Sequence, residues 1–355
     1  IMKKKTALIF GITGQDGSYL AELLLSKGYK VVGVNRRTSS ENTNRINHLL
    51  ENRRFYLVQG DVTDALCVQR IVQDTIPHEI YNLAAQSHVW TSFDQPLTTW
   101  DITGKGCLNI LEVIRNYSGR TPKFYQASSS EMFGDSYDCY DDDCEERFQD
   151  EHTVMNPQSP YAIAKLAAYN ATRLYRSSYG IYACNGILFN HESERRGDNF
   201  LTKKVSRYVS DLYIARQEGR IIPKLHLGNL HSMRDWGHAE DYVYAMWLMM
   251  QCDHSDDYVI STGHTHTVEE YVIEAFKCIN IYEYQDYVEI DKKLYRPSEV
   301  PYLRGYPGKA AMHLEWEPQT SFEGLVRRMV DHDIQSRSEH GQGSALSGPS
   351  GRTNT

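Results

Sequence analysis

The chain has 355 residues, 38 Lys+Arg against 46 Asp+Glu, a formal net charge of -8, 41% hydrophobic residues and 24% charged residues. That length sets about two folded units of roughly 150 residues, and ordinary hydrophobic and charged fractions exclude wholesale disorder. No apolar run approaches the roughly 18 residues of a membrane span, and the acidic balance argues against nucleic acid or an anionic membrane as partner, since both select broad basic faces.

In chain order, Met2-Lys3-Lys4-Lys5 and the apolar Thr6–Phe10 have the charge order of a short secretory leader. The apolar run ends at once in Gly11-Ile12-Thr13-Gly14-Gln15-Asp16-Gly17 with no small-residue cleavage site, so a buried first strand and a cytoplasmic protein are expected. Strands are predicted at Ala7–Phe10, Lys30–Val34, Phe55–Gln59, Glu79–Ala84 and Lys123–Ser128, with helices at Gly17–Lys27, Ala65–Asp74 and Gly104–Asn116 between them. Continuous apolar strands alternating with amphipathic helices predict an α/β fold, a Rossmann-type doubly wound parallel sheet covered on both faces. A helix over Pro160–Tyr179 leads to a sixth apolar run, Tyr182–Phe189. Residues 191–234 then turn rich in Arg, Lys, Asn and Gly, a helical pattern returns over Glu240–Gln251, and Asp257–Ser261 reads as a strand rejoining the sheet. The expected division is one unit over 1–190 plus about 235–263, a smaller mixed α/β C-terminal unit over about 191–234 plus 264–335, and a Gly/Ser/Pro-rich disordered tail over 341–355. An acidic loop spans 138–146, and the seven cysteines, at 67, 107, 139, 144, 184, 252 and 278, show no C-x-x-C or zinc-ligand spacing. They read as reduced thiols, with no metal site.

Three places carry chemistry. Gly11, Gly14 and Gly17, between an apolar strand and a helix, suit a turn that brings backbone N–H groups against a dinucleotide pyrophosphate, with Thr13, Gln15 and Asp16 in the same turn. At the end of the second strand, where an NAD site carries Asp or Glu, stand Arg36, Arg37, Thr38 and Ser39; two guanidinium groups suit a 2′-phosphate and favour NADP. Asp61 and Val62 after the third strand are placed at the adenine, and Leu83, Ala84, Ala85, Gln86 and Ser87 after the fourth at the nicotinamide. Finally, Tyr161 and Lys165 lie four apart on one helix face, where an ammonium beside a phenol favours phenolate. Upstream, Ser129 ends the fifth strand and Glu131, two residues on, is expected on the same side of an extended chain.

With those residues in place, the stretches GITGQDGSYLAELLLSKGY, NRRTSSENTNR, NLAAQSHV, ASSSEMFG, SPYAIAKLAAY, YACNGILFNHESERRG, GNLHSMRDWGHAEDYV and YRPSEV resemble the GDP-mannose 4,6-dehydratase family of extended short-chain dehydrogenases/reductases. The resemblance runs from about Lys5 to about Asp333 and rests most on NGILFNHES and RDWGHA. Departures are Ser129 where the family has Thr, Glu194 where it has Pro, Thr98 where it has a Tyr near the cofactor, a longer loop between Gly134 and Ser159, and a shorter Cys278–Asp291 segment. The resemblance implies a hydro-lyase that converts GDP-mannose to GDP-4-keto-6-deoxymannose with bound NADP. Ser129, Glu131, Tyr161 and Lys165 would be catalytic, Thr98, His191 and Arg196 would join the cofactor set, and Ser87, Asn190, Lys204, Asn229, Arg234, Arg296 and Glu299 would hold the nucleotide sugar. It also implies a homodimer or homotetramer formed partly through the loop from Arg36 to Arg45. A 4-epimerase or 4-ketoreductase of the same superfamily needs no acid/base at C5 and C6, so Glu131 speaks against it. A non-catalytic NADPH-binding regulator would not need Ser129, Tyr161, Lys165 and Glu131 together.

Overall fold

The computed structural model describes residues 5–139 and 146–345, with side chains to residue 338. Seven strands form one sheet: β1 (Thr6–Phe10), β2 (Lys30–Asn35), β3 (Phe55–Gln59), β4 (Glu79–Asn82), β5 (Lys123–Ser129), β6 (Ala183–Leu188) and β7 (Asp257–Ile260). Their order is β7-β6-β5-β4-β1-β2-β3, and every neighbouring pair is parallel. Parallel strands need crossovers, which cover both faces and make the strands apolar on both sides. Accordingly β1 is buried from Ala7 to Phe10 and β6 along its whole length.

Helices α1 (Gln15–Ser26), α2 (Ala65–Thr75), α3 (Gly106–Arg115) and α4 (Pro160–Tyr179) form the first crossovers. Asp64 caps α2 by accepting from the N–H groups of Leu66 and Cys67 at 3.1 Å each, and Ser159 followed by Pro160 starts α4, which Gly180 ends at φ +65°. One face of the sheet packs Tyr19, Leu20 and Leu24 of α1 with Tyr242 and Met246 of α6 (Ala239–Met249). The other packs Val68 and Ile71 of α2, Ile110 and Leu111 of α3 and Ala168 of α4. This is the doubly wound α/β arrangement expected from the alternation. Strand order reverses between β1 and β4, which opens a crevice at the carboxyl ends of those strands.

A second core joins α5 (Leu201–Gln217), α7 (Val268–Lys277) and α9 (Phe322–Ala345) through Val205, Val209, Leu212, Val272, Phe276, Val326 and Met329. Two short ladders connect it to the sheet's end: Asn190–Glu192 with Trp236–His238, and Met233–Arg234 with His266–Thr267.

The structure adds to or departs from the sequence reading at four places. The basic, Gly-containing stretch 191–234 hides α5, a helix of 17 residues. Ala310 and Leu314 of α8 (Gly308–Leu314) and the nearby Trp316, assigned from sequence to the smaller unit, pack in the sheet's own core. The stretch read as a tail from 341 is helical to Ala345, because extending an existing helix adds a hydrogen bond for each residue fixed, while residues 346–355 lie outside those described. Cysteines 67, 107, 184, 252 and 278 are free, but Cys139 is disulfide-bonded, so the thiols are not all reduced. Most of the acidic loop, 140–145, also lies outside the described residues. Among the described residues no helix is long and apolar enough to cross a membrane, and no group of His, Cys, Asp or Glu is arranged to hold a metal ion.

Candidate active site

A cavity of about 540 Å³ opens at the crevice between the sheet's carboxyl ends and the second core. Its floor is the turn between β1 and α1. Gly11 takes φ +85°, and a Cβ there would lie 2.8 Å from the Leu83 backbone; a Cβ on Gly17 would lie 2.4 Å from the Gly11 carbonyl oxygen. Only hydrogen fits at either place, so the chain packs tightly enough to bring the start of α1 to the cavity wall. Gly14 caps α1 without any side-chain hydrogen bond, and Gly11, Gly14, Gln15, Asp16 and Gly17 all line the cavity. An uncapped helix N-terminus facing a cavity fits a pyrophosphate.

The segment after β6 is locked to this turn. His191 Nε2 pairs with Asp16 Oδ2 at 2.7 Å, Gln15 Nε2 donates to the His191 carbonyl at 3.1 Å, and Ser193 Oγ donates to Gln15 Oε1 at 2.7 Å. Burial alone pulls the His191 pKa down, but the Asp16 carboxylate outweighs it and leaves the imidazole raised; burial pushes Asp16 up, and His191 brings it below its ordinary value. His191 also stacks on Tyr242 with ring centroids 4.6 Å apart. Arg196 pairs with Glu192 at 2.8 Å and lies 3.6 Å from the Phe200 ring centroid.

Along the chain after β4, alternate residues face the cavity. Leu83, Ala85 and Ser87 line it. Ala84 packs on the core behind the sheet, and Gln86 donates to the Thr99 hydroxyl and the His88 carbonyl. An extended chain has that two-residue period, so five consecutive residues cannot all face one ligand. Arg36, Arg37 and Asp61 line a separate cleft of about 400 Å³ with Gln59, Gly60, Asp64 and Cys67. Thr38 and Ser39 are exposed and line neither space, Thr13 offers its carbonyl to Arg45 Nη1 at 3.2 Å, and Val62 is buried against Gly106. Thr98 is exposed on the short helix Pro96–Thr99 and does not reach the cavity; its neighbour Thr99 is the buried one.

At the cavity's centre Ser129, Glu131, Tyr161 and Lys165 meet, each at most 8% exposed. β5 stops at Ser129, and Glu131 stands on the helical turn Ser130–Met132, its N–H donating to Ser129 Oγ at 3.2 Å. A turn, rather than the extended chain expected, carries the carboxylate inward. Lys165 Nζ donates to the Ala127 carbonyl at 2.6 Å and lies 5.8 Å from the Tyr161 ring centroid. Burial pulls Lys165 down to about 8. Burial also pushes Tyr161 up to about 12, with a hydrogen bond to Ser129 opposing it. The expected lowering of Tyr161 by Lys165 is therefore absent in this arrangement: desolvation of the phenol dominates, and the ammonium is directed to a carbonyl.

The opposite wall comes from the second core and its connections. Arg296 Nη1 lies 3.3 Å from Glu131 Oε1, and the Arg296 N–H donates to Glu299 Oε1 at 3.0 Å. Arg234 is buried, donates to the Val300 carbonyl at 2.8 Å, and is pulled down to about 10 by burial although Glu131 and Glu299 favour its charge. Lys204 donates to the His226 carbonyl at 2.6 Å, and Asn229 Nδ2 to Ser232 Oγ at 3.1 Å. Asn190 points a buried Oδ1 with no hydrogen-bond partner among the described residues. Lys204, Asn229, Arg234, Arg296, Glu299 and Asn190 all line the cavity, as do His191 and Arg196. Sequence reasoning missed His88, Trp90, Asn199, Phe200 and Trp236, which line it too. Trp236 lies within the RDWGHA stretch and His88 within NLAAQSHV, both already singled out, so a signal for each was at hand; Trp90, Asn199 and Phe200 carried none.

A family model described as GDP-mannose 4,6 dehydratase matches residues 8–329. The chain is 48% identical to GDP-mannose 4,6 dehydratase 2 of Arabidopsis thaliana, over 94% of this chain and 87% of that protein. It is 45% identical to GDP-mannose 4,6 dehydratase of Homo sapiens, over 94% and 92%. Among solved structures it is similar in fold to dTDP-glucose 4,6-dehydratase from Bacillus anthracis in complex with NAD, with TM-score 0.78 and 20% identity over 94% of this chain and 98% of that one. It is similar also to RMD from Pseudomonas aeruginosa complexed with NADPH, with TM-score 0.72 and 18% identity over 94% and 100%. At these identities over nearly its whole length, the chain belongs to the GDP-mannose 4,6-dehydratase family.

Proposed function

We propose that the protein is an NADP-dependent hydro-lyase that converts GDP-mannose to GDP-4-keto-6-deoxymannose and water. The observation that carries this reading is the placing of a carboxylate, Glu131, in one cavity with the Ser129–Tyr161–Lys165 group, facing Arg234 and Arg296. The turn at Gly11, Gly14 and Gly17 would hold a nicotinamide dinucleotide, which would supply hydride acceptance at C4 and its return at C6 with no net redox equivalent consumed. Tyr161 removes the proton of the sugar's 4-hydroxyl while Ser129 hydrogen-bonds the same oxygen, and the Lys165 ammonium, turned from the Ala127 carbonyl toward the phenol, would stabilise the phenolate. The 4-keto group acidifies C5. Glu131 takes the C5 proton and passes it to the departing 6-hydroxyl, which leaves as water, and the proton held on Tyr161 is returned to C5 as C6 takes up the hydride. Arg234 and Arg296 hold the diphosphate, with Glu299, Asn190, Lys204 and Asn229 around the nucleoside and sugar.

NADP is the reading for the cofactor because the cleft after β2 and β3 presents Arg36 and Arg37 to a 2′-phosphate. The turn at Gly11–Gly17 supports the pyrophosphate, and Asp61 the adenine side. A homodimer is supported by an apolar face: the adjoining helices at 96–105, α3 and α4 expose Leu97, Trp100, Leu108, Ile163 and Leu174. A second copy of that face would cover them, and a solution mass of two chains would bear it out.

The test is incubation with GDP-mannose and a catalytic amount of NADP⁺. The expected product has lost one water and shows the alkali-induced 4-keto chromophore. A C4 epimer of unchanged mass would refute the reading, and equal affinity for NAD⁺ and NADP⁺ would refute the role of Arg36 and Arg37.

A further inference from the structure

Arg296 and Glu299 stand on a segment that returns, over 300–306, across the ends of β6 and β7. The segment sits there without slack: a Cβ on Gly305 would lie 2.4 Å from Ser261 Cβ and 2.8 Å from Phe189 Cε2. On one side it follows the Arg234 strand, with Met233 N–H donating to the Pro301 carbonyl at 2.9 Å, Leu303 N–H to the Met233 carbonyl at 3.1 Å, and Arg234 Nη1 to the Val300 carbonyl. On the other it is held by the buried Gln149, whose Oε1 accepts from Arg304 N–H at 2.8 Å and whose Nε2 donates to the Tyr302 carbonyl at 3.4 Å.

Between these lies Asp235, fully buried and absent from the cavity lining. Its Oδ1 accepts from Thr262 N–H at 2.8 Å and Thr262 Oγ1 at 2.7 Å; its Oδ2 accepts from Gly263 N–H at 3.0 Å and Gly305 N–H at 3.2 Å. One carboxylate thus joins the residue after Arg234, the loop that leaves β7, and the segment that carries Arg296 and Glu299. Buried N–H groups need acceptors, and no neutral isostere supplies two oxygens to both pairs of donors: an amide would turn its NH₂ onto one pair.

We propose that Asp235 is a positioning residue for the substrate half of the site, fixing Arg234, Arg296 and Glu299 opposite Glu131 without touching either ligand. The proposal rests on reading the cavity as a nucleoside-diphosphate-sugar site. It acts on binding of the diphosphate end and leaves the dinucleotide side, built on β1 and α1, unchanged.

The test uses the full-length enzyme with Asp235→Asn and Thr262→Val, titrated with GDP, with UDP and with NADP⁺. Asp235→Asn is expected to weaken GDP about tenfold or more and raise KM for GDP-mannose in proportion, with a smaller fall in kcat and NADP⁺ affinity within about twofold. Thr262→Val removes one donor to the same carboxylate but keeps the Gly305 bond, so it is expected to lower thermal stability while leaving GDP affinity unchanged. In the double variant with Arg296→Gln the losses in GDP affinity are expected to be less than additive, as for residues acting through one another. Unchanged GDP affinity in Asp235→Asn, equal losses for GDP and NADP⁺, or additive losses with Arg296→Gln would overturn the proposal. A wild type that binds UDP and not GDP would overturn the guanosine reading instead, and the same comparison would then be made on UDP.

Discussion

At the scale of single residues, the proposed dehydration, as against epimerisation, rests on Glu131, whose carboxylate pairs with Arg296 Nη1 at 3.3 Å. That contact spans 165 positions of sequence, so no local reading could have found it. Glu131→Gln keeps the size but cannot take the C5 proton; it is expected to allow transient C4 oxidation, seen as cofactor reduction, while product formation falls roughly 10²–10⁴-fold. The Tyr161/Lys165 pair was legible as a spacing, but its electrostatics were not. The spacing suggested a lowered phenol, whereas burial, which only the fold determines, pushes Tyr161 up to about 12 and Lys165 down to about 8. Lys165 is charged below that value and neutral above it. The rate, as kcat/KM, is therefore expected to fall as the pH rises through about 8, and Lys165→Arg, which stays protonated, should lose that limb even if its activity is low.

At the scale of elements, the strands were legible because a sheet buried on both faces writes itself as short apolar runs, and the glycine turn because no other residue fits it. Gly17→Ala tests the turn directly. The new methyl would meet the Gly11 carbonyl oxygen at 2.4 Å and Ile12 Cα at 2.7 Å, both backbone atoms that cannot rotate away. Cofactor affinity is expected to drop at least about tenfold, with a stability loss of about 1–3 kcal/mol in thermal unfolding. Helix α5 was missed although Leu201, Val205, Val209, Leu212 and Ala215 repeat at helical spacing; the intervening Lys, Arg and Ser residues masked the stripe. The turn that carries Glu131 was missed for another reason: a single helical turn of three residues has no period to read.

At the scale of the whole molecule, a net charge of -8 coexists with a site rich in cations, because Arg36, Arg37, Arg196, Lys204, Arg234 and Arg296 gather at the two clefts. The two cores are joined beside them by Glu194, one of the residues that depart from the resembled pattern. Its carboxylate accepts from Tyr19 OH of α1 at 2.9 Å, His238 Nε2 at 3.2 Å and Arg328 Nε of α9 at 2.8 Å. Burial pushes Glu194 up, but His238 and Arg328 hold it well below its ordinary 4.5. A lowered carboxylate contributes its full stability above that ordinary value and loses it as the pH falls through and below it. Glu194→Gln is thus expected to lower the melting temperature at pH 7 and to flatten the decline of stability below about pH 4.5, as followed by thermal unfolding across pH. The proposed reaction is intramolecular in its hydride, which is read most directly with GDP-mannose carrying deuterium at C4 of the sugar and a catalytic amount of NADP⁺. The expected product has lost water and carries the label at C6; a product of unchanged mass with the label still at C4 would refute the dehydration.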